Sequence, residues 1–136
     1  MRVVALDSYT WPTDPFSLAL VVESVETLAS RIGAQVKEWS EDGLGPVRGI
    51  CVRLPSGRVV LIQEYTYAIQ HGMHSGPELA VDAADVATLG VDALLQEVLE
   101  VLEIPPGAVQ WRQASSAAAI AAERAAAAIR WRASKK

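Results

Sequence analysis

ICVRLPSGRVVLIQEY, residues 50–65, decides the fold. Ile50, Val52 and Leu54 alternate with Cys51 and Arg53, so this half of the segment reads as a strand with one apolar face. PSGR at 55–58 supplies a tight reversal, because Gly57 has no Cβ to oppose positive φ. The return, VVLIQEY at 59–65, opens with four apolar residues in a row, which predicts an internal strand covered on both faces. A hairpin at the centre of the chain makes a mainly antiparallel sheet the economical architecture.

Working towards the N-terminus, AQVKEWS at 34–40 reads as a strand and EDGLGP at 41–46 as the turn that ends it. Before it, Leu18, Val21, Val22, Val25, Leu28, Ala29 and Ile32 recur at three- and four-residue steps. With Thr13 or Asp14 as cap, Pro15 in the first turn and Gly33 at the far end, this spacing predicts one amphipathic helix over 14–33. Residues 2–6, RVVAL, read as a short strand or an extended arm.

Working towards the C-terminus, TYAIQHGMHSGP at 66–77 shows neither period and reads as a long loop. ELAV at 78–81 returns as a strand. Asp82 then caps a short helix ending at Gly90, and Asp92 repeats the device for a second helix through Glu103, with Leu94 or Leu95, Val98, Leu99 and Leu102 as its buried stripe. IPPG at 104–107 stops that helix, and AVQW at 108–111 reads as a last strand. From Gln113 onward the chain is rich in alanine, with high helix propensity and little to bury, which predicts a helix over 114–131 anchored by Trp131.

The expected fold is therefore α+β: a sheet of four to five strands with helices packed on one face, in a single domain over 1–112, followed by an Ala-rich, basic helix or tail over 113–136. A chain of 136 residues suits one core. No apolar run reaches the ~18 residues that a membrane span needs. The N-terminus lacks a secretory pattern and Cys51 is the only cysteine, so a soluble protein of a reducing, cytoplasmic compartment is expected.

Charge is divided unevenly. Residues 1–112 carry seven Arg/Lys against fifteen Asp/Glu, net −8, whereas residues 113–136 carry five against one, net +4. An acidic body favours a basic partner and disfavours nucleic acid. The basic end, RWRASKK with Trp131 between Arg130 and Arg132, has the composition for phosphate and base contacts, but the acidic body opposes it and a solvated end is the expectation.

Catalytic patterns are weak. His71 and His74, in HGMH, offer two imidazoles, and a small metal-binding protein or enzyme would have to complete the set with Glu64, Glu78 or Asp82. Cys51 sits mid-strand, where thiols pack rather than react. No G-x-S-x-G supports acyl transfer, and GLGP at 43–46 lacks the lysine or helix start of a phosphate loop. The pairs Glu41/Asp42 and Asp82/Asp85 are explained by a turn and a helix cap. No cofactor is expected. Tyr65 and Tyr67 project to one face where the central strand opens into the loop, covering the core end or anchoring a partner.

The order of an initial helix, a hairpin IxVxLPSGRVVLIQEY, a D-A-A-D helix and a terminal strand GAVQW at 107–111 resembles the immunity proteins of bacterial polymorphic toxin systems, over residues 14–111 and in layout. The resemblance implies a non-enzymatic inhibitor held against a toxin. Charge complementarity to a basic toxin domain places Glu41, Asp42, Glu64, Glu78 and Asp82 at the interface, with Tyr65, Tyr67, His71 and His74 as adjoining contacts.

Overall fold

The computed structural model describes residues 3–6 and 14–114. In chain order these form β1 (Val4–Leu6), β2 (Pro15–Val21), α1 (Val25–Ile32), β3 (Lys37–Glu41), β4 (Gly45–Arg53), β5 (Val59–Tyr65), α2 (Thr66–Gln70), β6 (Glu78–Asp82), α3 (Ala83–Leu89), α4 (Val91–Val101) and β7 (Val109–Arg112). The class is α+β. All strand pairings are antiparallel, in the order β1-β4-β5-β6-β2-β7, with β3 also on β4.

The central hairpin forms as the sequence predicts. Gly57 has φ +94°, its N–H donates to the Leu54 carbonyl at 2.8 Å, and Leu54 N–H donates to Arg58 at 2.7 Å. β4 and β5 then pair from Arg53↔Val59 to Val47↔Tyr65. Since alternate side chains face opposite ways, Ile50, Val52, Val60, Ile62, Leu79 and Val81 share one face. That face meets Val25 and Leu28 of α1 and Leu94, Leu95 and Val98 of α4 in one contiguous core. On the other face Val47, Val59 and Ala80 are also withdrawn from solvent, as an internal β5 requires.

Among the described residues the sheet has seven strands rather than four to five, because residues 4–6 pair with β4 as a strand instead of lying as an arm and the helix expected over 14–33 is two elements. Residues 15–21 are a strand lodged between β6 and β7, and only 25–32 are helical. The apolar run at 18–22, at the buried end of this strand, cannot be told by periodicity from a buried helical segment. The true cap is Ser24, whose Oγ accepts from Thr27 N–H at 3.2 Å, and Gly33 closes the helix at φ +70° as expected.

Other boundaries move less. The expected loop at 66–77 begins with the single-turn helix α2. Asp82 caps α3, accepting from Ala84 N–H at 2.8 Å, but α4 is preceded by Gly90 and Asp92 lies in its first turn. The helix expected over 114–131 lies outside the described residues, Ala114 excepted, which is irregular. Arg31 joins the two core helices: it pairs with Glu23 at 2.5 Å and donates to the carbonyls of Leu102 and Glu103 at 3.0 and 2.9 Å, where the chain leaves α4.

The segment 71–77 is pinned at its base. Val21 N–H donates to the Pro77 carbonyl at 3.0 Å, and a Cβ on Gly76 would stand 2.2 Å from the Val21 carbonyl oxygen. That neighbour is backbone and cannot rotate aside. Gly76→Ala is therefore expected to destabilise the protein by about 2 kcal/mol through overpacking, read as a lower urea midpoint with an unchanged slope. A variant as stable as the parent would show that the 71–77 segment is not held by this contact.

Candidate functional site

Three chain segments meet beyond the Val47/Tyr65 end of the hairpin. The turn between β3 and β4 is closed by Leu44 N–H donating to the Glu41 carbonyl at 3.1 Å, with Gly43 and Gly45 at φ +79° and +77°. Glycines on both sides let the chain turn sharply enough to display Leu44, which is 51 % exposed. From β5 the chain enters α2 at once, carrying Tyr65, Tyr67 and Ala68. The 71–74 segment then folds back, with Met73 and His74 N–H groups both donating to the Ala68 carbonyl, at 2.8 and 3.2 Å.

These segments enclose a pocket of about 680 Å³ with largely apolar walls. Leu44 and Pro46 form one side, Tyr67, Ala68 and Met73 the other, and Tyr65 and His74 contribute polar atoms. Tyr67 and Met73, 58 % and 62 % exposed, are the two most exposed large apolar side chains among the described residues, and Leu44 is third. The ring of His71 lies 4.1 Å from that of Tyr67. His74 Nδ1 is enclosed and has no hydrogen-bond partner.

Behind Tyr65 lies a polar row on the sheet face opposite the helices. Gln63 is only 6 % exposed, and its Nε2 donates to Tyr65 Oη at 2.9 Å and to Glu78 Oε1 at 3.1 Å. Both amide hydrogens are thereby used, and Gln63 Oε1 is left without a donor. Trp39 Nε1 donates to Glu41 Oε1 at 3.1 Å. Its indole crosses Gly49, where a Cβ would stand 2.8 Å from the ring.

The electrostatics here are negative. Burial first, then Glu78 and Glu41, push the Tyr65 phenol up to about 12. Four arginines among the described residues are engaged elsewhere: Arg31 with Glu23, Arg48 with Glu26 and Glu38, Arg58 with Glu97, and Arg112 with Asp92.

The structure thus groups seven of the nine residues expected at the interface. Tyr65, Tyr67 and His74 line the pocket, His71 lies against Tyr67, Asp42 is exposed in the adjoining turn, and Glu41 and Glu78 act on Tyr65. Two stand apart. Glu64 faces the helices, and its Oε1 accepts from Val25 N–H at 2.8 Å at the start of α1. Asp82 is 4 % exposed at the opposite end of β6, occupied in capping α3. Leu44, Met73 and Gln63 were not among the residues singled out from sequence. For the first two the signal is a large apolar residue set among turn formers, with no periodicity to account for it.

Among the described residues, no three His, Cys, Asp or Glu side chains are grouped to hold a metal ion, and no helix is long and apolar enough to cross a membrane. The Cys51 thiol is half-buried in β4, with its pKa pushed up by burial. That suppresses the thiolate a nucleophile needs.

A tyrosine that ionises later in the folded chain than in the unfolded one makes stability fall with pH between the two pKa values, here from about 10 to about 12, because the folded state holds the proton longer. Ultraviolet titration should show one phenol that resists ionisation until about pH 12. Glu78→Gln and Glu41→Gln should each lower that midpoint, Glu78→Gln by more. Midpoints unchanged in both variants would remove the negative field inferred at Tyr65. No protein-family model matches this chain, and neither a curated protein nor a solved structure matches it.

Proposed function

We propose that the chain is a non-enzymatic binding protein, an immunity protein that neutralises a cognate bacterial toxin by occupying it with the end of the molecule formed by the 42–44 turn, α2 and the 71–74 segment. The observation that carries the reading is the convergence of Leu44, Tyr67 and Met73, each more than half exposed, on one apolar pocket beside Glu41, Asp42 and Glu78. A cluster of exposed apolar side chains rimmed by charge marks a protein-binding surface. Tyrosine is favoured at the centre of such surfaces because it offers a large area with few torsions to freeze.

The choice of a toxin as partner comes from the resemblance of the sequence to immunity proteins, in the hairpin, the D-A-A-D helix and the terminal strand rather than in an initial helix. Charge supports it: a body of net −8 over residues 1–112 steers a basic domain towards it and raises the association rate at low salt. The acidic residues at this end lie beside apolar anchors, an arrangement suited to affinity as well as encounter.

Co-expression with the product of the adjacent gene should yield a stoichiometric complex and protect cells from that product. Tyr67→Ser combined with Met73→Ser should weaken the complex by at least ~30-fold, corresponding to the loss of one strong anchor. Asp85→Asn, on the far helix α3, should leave it unchanged. A neighbour that is not toxic and is not retained would sink the immunity reading, and an unweakened double variant would move the interface elsewhere.

A further inference from the structure

The pocket combines features that select among partner side chains. Leu44, Pro46 and Met73 give it walls suited to methylene groups, whereas Tyr65 and His74 bring polar atoms, and the field at Tyr65 comes from carboxylates. Two side-chain atoms at this end lack a partner: Gln63 Oε1, an acceptor on the amide bonded to Tyr65 Oη behind the pocket, and His74 Nδ1 in the pocket lining. What is missing is therefore a donor, cationic at its head and apolar along its stem.

We propose that this pocket receives an arginine side chain of the bound protein. The inference rests on the reading of this end as the partner surface, and it names the chemistry that surface takes. Arginine has a stem of three methylenes to lie against Leu44, Pro46 and Met73, and a planar head that stacks on tyrosine rings. Its five N–H donors and lack of any acceptor suit a corner with an unmet acceptor and nearby carboxylates. A lysine ammonium is compact and strongly hydrated, so it gains less from apolar walls and cannot stack. A purely apolar side chain would fill the walls but leave the Gln63 Oε1 acceptor without a donor.

The test uses blocked tripeptides, acetyl-Gly-Xaa-Gly-amide, with Xaa arginine, lysine, norleucine or phenylalanine, titrated into the full chain and followed by amide and methyl NMR shifts. The arginine peptide is expected to saturate shifts at Leu44, Tyr65, Met73 and His74 with a Kd on the order of 1 mM, a reasonable affinity for one side chain. It should bind at least ~5-fold more tightly than the other three, and the preference should narrow as salt is added. Glu41→Gln, outside the pocket lining, should reduce the arginine preference while leaving norleucine binding unchanged, and His74→Phe should reduce the arginine preference. Equal binding of lysine would overturn the assignment of a guanidinium, and equal binding of norleucine or phenylalanine would make the pocket an apolar anchor site. Shifts confined to carboxylates outside the pocket, or absent up to ~20 mM, would overturn it altogether. If the arginine peptide binds as described but no toxin is neutralised, the immunity reading fails and the pocket assignment stands. If a toxin complex forms and neither saturating arginine peptide nor His74→Phe weakens it, the immunity reading stands and the arginine assignment fails.

Discussion

The pairing of β4 with β5 is the constraint on which the rest of the molecule depends. Their register runs through seven residue pairs and puts Ile50 beside Ile62 and Val52 beside Val60, directly under the core helices. A slip of one residue would turn the pair on the slipped strand to the face opposite its partners, so burial specifies the register strongly. The same pairing sets Val47 against Tyr65 and thereby brings the 42–44 turn and the start of α2 to one end of the sheet. The pocket exists because two connections on either side of that pairing leave the sheet at the same place.

Charge is distributed by the same geometry. Arg48 lies on the helix side of β4 and is drawn to Glu26 of α1, while Arg58, at the far turn, reaches Glu97 of α4. Each pair contributes little by itself where solvent reaches it. Their joint effect is on potential, since they offset Glu26, Glu38 and Glu97 while Glu41 and Glu78 still act on Tyr65. Glu64, on the strand that also bears Tyr65, is turned by strand alternation towards α1 and serves there as an acceptor for a helix N-terminus.

Legibility followed the strength of local signals. The hairpin turn at Gly57, the Asp82 cap and the stop at Pro105 and Pro106 are chemical punctuation that any environment respects, and those elements stand where the residues place them. Residues 15–21 carry no such mark. Their run of Leu, Ala and Val satisfied a helical period by coincidence with the true helix at 25–32, and only the neighbouring strands β6 and β7 decide between the two states. At the pocket, Tyr67 and His74 stand out in sequence because they lie in a segment with neither helical nor strand period, and Tyr65 because it ends the strand that opens into it. Leu44 and Met73 do not, since exposure is a property of the fold. Asp82 read as interfacial by charge alone, and its burial reflects the helix that it caps.

β4 presents its outer edge to two partners in turn. β3 covers its residues from Gly45 to Gly49 and β1 covers Cys51 to Arg53, so Ile50 is the one position along β4 that neither partner spans. A break in the outer layer at a residue whose side chain is committed to the core means that, among the described residues, the sheet on this side ends in two strands of three and five residues. Neither offers the long, flat row of unpaired backbone groups on which a stray chain could template. The division of one edge between two short strands therefore limits lateral growth of the sheet and directs association towards side-chain surfaces.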